Sequence, residues 1–272
     1  MSGDLRRMVA RWRTTGDESA IRVWLAERIA SGELTPERLS LAAECAIGPA
    51  VAASGLCGHE RPQFNDFVRE IGKWGAPGIV AGFVGVGHAM LGQVHTRTAH
   101  TAIAARAIEV ADRWLIEGTS ATLGFDTWVL ESAYQDTEVE SANALAARLL
   151  LQVSLNAMRH VRSHARTMDA TRALLVLGMA VADGVVGVGC LRVGSSASAL
   201  GATAQSLRQL ARRNFQLAPD RQDPLFREMA SGLETRIGLW ALELPSGMPT
   251  SEGPDVDEPP RSGATPPPGE PR

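Results

Sequence analysis

Lysine is almost missing from this 272-residue chain, because Lys73 is the only lysine among its 27 basic residues. The three cysteines, Cys45, Cys57 and Cys190, form no C-x-x-C pair, which predicts free thiols in a reducing cytoplasm. Residues 1–12 lack the apolar segment of a secretory signal. The net charge of −3 predicts no general attraction to nucleic acid or to anionic membranes.

Strand patterns are equally scarce, and helical spacing of apolar residues dominates the chain. Thr35, Pro36 and Glu37 combine an N-cap hydroxyl, a proline at the first helical position and an acid in the first turn. Thr137 is predicted to cap a long amphipathic helix that ends near Thr167. The expected fold class is therefore all-α, as a multi-helix bundle or an irregular helical array.

The chain divides into three predicted parts. Residues 1–58 form an N-terminal short-helix module, which begins with a helix over 4–14. Residues 64–244 form the main helical domain, with Gly-rich central helices. The last part, 245–272, contains nine prolines and too little apolar surface to fold, which predicts a disordered tail.

Glycines recur at helical spacing in the first of two Gly-rich segments. Gly78, Gly82 and Gly85 belong to a stripe with steps of three and four, which lets a second helix approach closely. Alternation of Gly and Val also fits a strand, but the longer stripe favours a helix.

The second Gly-rich segment repeats the first. Gly184-Val-Val-Gly-Val-Gly189 matches Gly82-Phe-Val-Gly-Val-Gly87 at an offset of 102 residues, so Gly184 and Gly187 are the corresponding packing positions. A duplication and a coincidence of composition both stay open. Neither copy completes the dinucleotide-binding fingerprint, because the third glycine comes too late. We expect no cofactor.

Asp183 is the only charge in residues 173–191, a stretch long enough to cross a membrane. One interpretation is the buried central helix of a soluble bundle. The alternative is a membrane-associated hairpin of helices 76–92 and 173–191, in which the aspartate is costly. In the bundle, Asp183 requires a partner, for which Arg172 and Arg192 are candidates, and Asp183→Asn should then destabilise the protein.

Two constellations suggest chemistry without completing a site. His160 and His164 have the i, i+4 spacing of helical metal ligands, but arginines surround them, and we expect solvated surface histidines. An acidic patch consists of Asp126, Glu131, Asp136, Glu138 and Glu140. Carboxylates can act as general acids and bases, yet acids also favour helix N-termini.

A basic patch consists of Arg208, Arg212, Arg213, Arg221 and Arg227. Aromatic residues are not interleaved with it, so a solvated face is expected rather than a nucleic-acid site. We assign no catalytic, cofactor-binding or metal-binding residue and expect no enzyme.

Two stretches resemble known families. Residues 21–43, which end in Gly-Glu-Leu-Thr-Pro-Glu-Arg-Leu-Ser-Leu-Ala-Ala, resemble a module of uncharacterised all-helical bacterial proteins, although Cys45-Ala-Ile-Gly-Pro49 replaces their Gly-His-Pro. Trp74-Gly-Ala-Pro77 and residues 104–115 are similar to the Imm-5-like immunity proteins. The resemblance implies a helical binding protein that neutralises a toxin. We therefore expect a cytoplasmic protein-interaction module with an unknown protein partner.

Overall fold

The computed structural model describes residues 19–55, 62–94, 98–118, 122, 125–163 and 167–244. Every regular element in these ranges is an α-helix or a short 3-10 helix, and none of them contains a strand. This confirms the all-α fold class. The predicted helix over residues 4–14, the thiol of Cys57 and the Pro-rich tail from residue 245 lie outside the described residues.

The described helices follow one another with short connections. They are α1 (Ser19–Ala30), α2 (Pro36–Glu44), α3 (Gly48–Ser54), α4 (Phe64–Ile71), α5 (Gly75–Leu91), α6 (Ala99–Glu117), α7 (Thr127–Asp136), α8 (Ala142–Val161), α9 (Ala170–Val193), α10 (Leu200–Asn214) and α11 (Pro224–Ala241). Two 3-10 helices, Gly72–Trp74 and Pro219–Arg221, precede α5 and α11.

Local capping chemistry determines where several helices begin and end. The Thr35 hydroxyl accepts a hydrogen bond from the backbone amide of Arg38, and Pro36 occupies the first helical turn, as predicted. The Asp169 carboxylate accepts from the first amides of α9. Gly194 ends α9 with a φ of 63°, a left-handed conformation that glycine adopts without steric cost.

The two Gly-rich segments are both helices, α5 and α9, and both lie at the centre of the fold. Helix α5 contacts α6, α8, α9 and α11, while α9 contacts α4, α5, α8, α10 and α11. The strand alternative for residues 82–87 and 184–189 is therefore wrong. Their repeat at 102 residues stays a prediction, since both copies being helices agrees with a duplication and with a coincidence.

The glycines of α5 allow two neighbouring helices to approach its backbone closely. A Cβ atom on Gly85 would overlap the carbonyl oxygen of Gly232 in α11, and one on Gly232 would lie 2.9 Å from Ala89 Cβ. A Cβ atom on Gly82 would lie 2.7 Å from Leu177 Cδ2 in α9. The small residues thus let α11 and α9 pack close to the α5 backbone.

The other three glycines predicted as packing positions, Gly78, Gly184 and Gly187, contact side chains more than backbone. A Cβ atom on Gly78 would lie 2.9 Å from Trp74 Cβ and 3.2 Å from Ile71 Cγ2, at the junction of α4 and the 3-10 helix that precedes α5. A Cβ atom on Gly184 would lie 2.8 Å from Met229 Sδ in α11, and one on Gly187 would lie 3.2 Å from Met90 Cε in α5. Methionine side chains therefore fill the space that these α9 glycines leave.

The N-terminal helices are fastened to the end of α11 by three charged residues, which we call the Glu243 clamp. Arg28 Nη2 lies 2.6 Å from Glu243 Oε2, and Arg38 Nη1 lies 2.8 Å from Glu243 Oε1. The same guanidinium groups donate to the carbonyl oxygens of Leu242 and Trp240. Helices α1–α3 and α11 share one apolar core, while the proposed boundaries 1–58 and 64–244 stay predictions.

Two helical stretches are long and apolar enough to cross a membrane by length and composition. They are Phe64–Leu91, with a mean hydropathy of 1.3, and Ala170–Val193, with 2.2. The fold buries 72% and 61% of their most apolar windows, respectively. Core helices of globular proteins satisfy the same criteria, so these values by themselves do not distinguish the two interpretations.

Candidate functional site

The most exposed aromatic side chain in the described part of the chain lies on α7. Asp126 accepts a hydrogen bond from the backbone amide of Trp128 at 2.9 Å and begins this helix. Leu130 and Ala133 face the core, whereas 67% of Trp128 and 41% of Val129 are exposed. Helix α7 thus presents an apolar surface that the fold itself does not use.

The opposite side of α7 is held firmly against α8. The Arg148 guanidinium lies over the Tyr134 ring, 4.8 Å from its centroid, and donates to the carbonyl oxygen of Thr137. The Thr137 hydroxyl donates to the carbonyl oxygen of Ala133 at 2.6 Å. These contacts fix the C-terminal end of α7 against α8.

The long helix begins later than predicted. Ser141, not Thr137, accepts from the amide of Ala144 and caps α8, which ends at Val161. Thr137 instead ends α7, where its hydroxyl donates to the carbonyl oxygen of Ala133, and residues 138–141 separate it from α8. As a consequence, Val139 lies in the link between the helices with 37% of its surface exposed.

The carboxylates of the acidic patch have separate roles and do not converge. Asp126 caps α7, and Asp136 accepts from the Ser132 hydroxyl. Glu131 forms an exposed ion pair with Arg159 at 3.6 Å, a geometry that contributes little to stability. Glu138 and Glu140 are exposed in the link between α7 and α8, where they flank Val139. We call Trp128, Val129, Val139 and these five acids the α7 surface.

His160 does not have the solvated surface environment predicted for it. His160 is half-buried, and its ring stacks on Phe83 with a centroid distance of 5.7 Å. Burial lowers its pKa, and the charge of Arg172 lowers it further. His164 lies outside the described residues. No group of three or more potential metal ligands occurs within the described ranges.

Asp183 has a different environment from the one predicted. The side chain is half-buried on α9, and burial raises its pKa to about 6, opposed by the positive charge of Arg208. Arg192 pairs with Glu228 at 2.7 Å, and Arg172 lies near His160. Asp183 makes no ion pair or hydrogen bond within the described ranges, so the expected pairing with either arginine is wrong.

A buried polar cluster joins three helices and was not predicted from the sequence. Arg236 of α11 is almost fully buried, and its Nε lies 2.5 Å from Asp112 Oδ1 of α6. Burial lowers the pKa of the neighbouring His88 to about 4, although Asp112 acts in the opposite direction. The cluster joins α5, α6 and α11. One signal was available, since Arg236 falls in the apolar register of Met229 and Leu233.

The arginines of the basic patch lie in different environments. Arg227 forms a bidentate ion pair with Glu234, with distances of 2.9 and 2.8 Å. Arg213 and Arg221 line an open depression of about 760 Å³ between α10 and the start of α11. Gln222 forms part of its wall and is itself buried. The patch is therefore not one continuous basic face.

Comparison of the chain with protein-family models, with curated protein sequences and with solved structures finds no match. The resemblance to the Imm-5-like immunity proteins therefore stays a prediction from the sequence.

Proposed function

We propose that this protein is a non-enzymatic helical interaction module of the immunity type, which binds a protein partner through the α7 surface. The observation that carries the proposal is the exposure of Trp128, at 67%, on a helix whose Leu130 and Ala133 are buried. Tryptophan is enriched among residues that dominate binding energy at protein interfaces. Val129 beside it extends the apolar area.

Rigidity supports this role. Arg148 of α8 holds the C-terminal end of α7 in place before any partner arrives, because it stacks on Tyr134 and donates to the carbonyl oxygen of Thr137. A preorganised surface loses less conformational freedom on association, so more of the contact energy becomes affinity.

Affinity capture from the organism's own lysate tests the proposal, with the full chain as bait. Three baits are compared: wild type, Trp128→Ala and Leu175→Ala. Leu175 is a matched control because it is also an apolar helix residue, with 60% of its surface exposed on α9. A partner retained by wild type and Leu175→Ala but lost by Trp128→Ala is the expected result. Loss with Leu175→Ala alone would move the binding surface to α9.

Membrane association through α5 and α9 is the second candidate function. It is favoured by the length and hydropathy of the two stretches and by the exposure of Met179, at 53%, beside Leu175 on α9. Fractionation without detergent separates the two proposals. Recovery in the soluble fraction supports the interaction module, and recovery only with membranes supports the alternative.

A further inference from the structure

The chemistry of the α7 surface defines the kind of protein that it fits. Residues 118–147 contain five acids and no Lys, Arg or His. The whole chain has a net charge of −3, so this stretch is more negative than the entire protein. The acids are Asp126, Glu131, Asp136, Glu138 and Glu140.

Internal pairing does not neutralise this charge. Glu131 has Arg159 at 3.6 Å, but the other four acids form no ion pair within the described ranges. Arg148, the base that follows the stretch, is half-buried against Tyr134 and bonded to the carbonyl oxygen of Thr137. Asp126 lies two residues before Trp128, and Glu138 and Glu140 flank Val139, and all of these side chains are exposed. The unneutralised charge therefore adjoins both exposed apolar side chains along the chain.

From this arrangement we infer that the α7 surface docks a protein with a basic, partly apolar surface. The inference rests on the proposed function and adds the chemistry of the partner. Complementary charge steers association and excludes partners of the same sign. Burial of the exposed Trp128 by a partner would provide the desolvated contact that charge alone does not provide. A second copy of this chain would bring like charges together and is therefore disfavoured.

The test uses a defined probe and the full chain. The probe is a fluorescently labelled amphipathic helical peptide of leucine and lysine, and a leucine and glutamate peptide of equal length is the charge control. Fluorescence anisotropy measures binding at low and at high salt. We expect the lysine peptide to bind, the glutamate peptide not to bind, and the affinity to fall with salt, because ions screen exposed charges.

Variants locate the binding on the protein. Trp128→Ala and Val129→Ser should each weaken binding, by about tenfold for the tryptophan. The triple variant Asp136→Asn, Glu138→Gln and Glu140→Gln should weaken it and flatten its salt dependence. Its matched control neutralises three exposed acids elsewhere, Glu27→Gln, Glu109→Gln and Asp220→Asn, and should bind like wild type.

The outcomes separate this inference from the proposed function. Equal binding by the two triple variants, or equal binding of the lysine and glutamate peptides, would overturn the basic partner. The lysate capture would then still decide whether the α7 surface binds any partner. Sedimentation tests the remaining alternative, in which a second copy of this chain binds the α7 surface. A wild-type dimer that Trp128→Ala abolishes would show this and would also overturn the inference. Unchanged circular dichroism and melting show that each variant is folded.

Discussion

Replacing Asp183 by asparagine should stabilise the protein at neutral pH, the opposite of what the sequence alone predicts. That prediction required an ion pair with Arg172 or Arg192, and the structure has neither. Burial is the dominant influence on this carboxyl group and raises its pKa from 3.8 to about 6. The carboxyl group of Asp183 therefore binds its proton more tightly in the folded protein than in the unfolded chain.

The sign of the pH dependence follows from this difference. Below about pH 3.8 the group is protonated in both states and costs nothing. Between pH 3.8 and 6 the unfolded chain ionises first, so folding stability falls as pH rises, and the loss is complete above pH 6. The difference corresponds to about 3 kcal/mol at about 1.4 kcal/mol per pKa unit. Partial exposure of Asp183 reduces the expected effect to about 1–3 kcal/mol.

Urea denaturation measures this effect at pH 4 and pH 7.5. The free energy of unfolding of Asp183→Asn should exceed that of wild type by about 1–3 kcal/mol at pH 7.5 and by much less at pH 4. Asp220→Asn, which changes an exposed aspartate on the 3-10 helix before α11, should show no such difference. An Asp183→Asn protein that is less stable at pH 7.5 would show that the carboxylate has a stabilising partner and would refute the reasoning.

Three further predictions concern packing, the buried cluster and the chain end. Gly85→Ala should lower the free energy of unfolding by about 1–3 kcal/mol, because the added Cβ atom would overlap Gly232. Gly201 has open space around it, so Gly201→Ala should not destabilise the protein. Equal chemical denaturation curves for the two variants would contradict the close contact. Asp112→Ala should lower the free energy of unfolding by about 3–5 kcal/mol, because it leaves the buried Arg236 without its ion-pair partner. Adding Arg236→Met to that variant should recover part of this stability in thermal melts. A chain that ends at Leu244 should have a melting temperature within a few degrees of that of the full chain. A chain that ends at Ala241 lacks the Glu243 clamp and two buried leucines, so its melting temperature should be clearly lower.

The sequence predicted those features that neighbouring residues determine. The start of α2 at Thr35 and Pro36 and the helical nature of both Gly-rich segments follow from local spacing and capping. Local signals also compete. The predicted start of the long helix was wrong because Thr137 and Ser141 are both possible N-caps, and Thr137 ends α7 while Ser141 caps α8.

Contacts between distant parts of the chain could not be predicted. The glycine stripe indicated a close helix contact, but its partner Gly232 lies on α11, and no pattern in α5 identifies that helix. The pairing of Arg236 with Asp112 spans 124 residues for the same reason. The exposure of Trp128 was also hidden, since sequence spacing alone does not show which apolar residues the fold leaves uncovered.

The Glu243 clamp has a consequence for how the protein is made. Arg28 and its partners at Leu242 and Glu243 are separated by 214 and 215 residues. At a synthesis rate of about 5–20 residues per second, α1–α3 leave the ribosome about 10–40 seconds before α11 exists. Throughout that interval, the apolar side chains that α11 later covers face the cell's contents. The part of the nascent chain that forms α1–α3 therefore exposes an aggregation-prone surface until α11, the last of the described helices, has emerged.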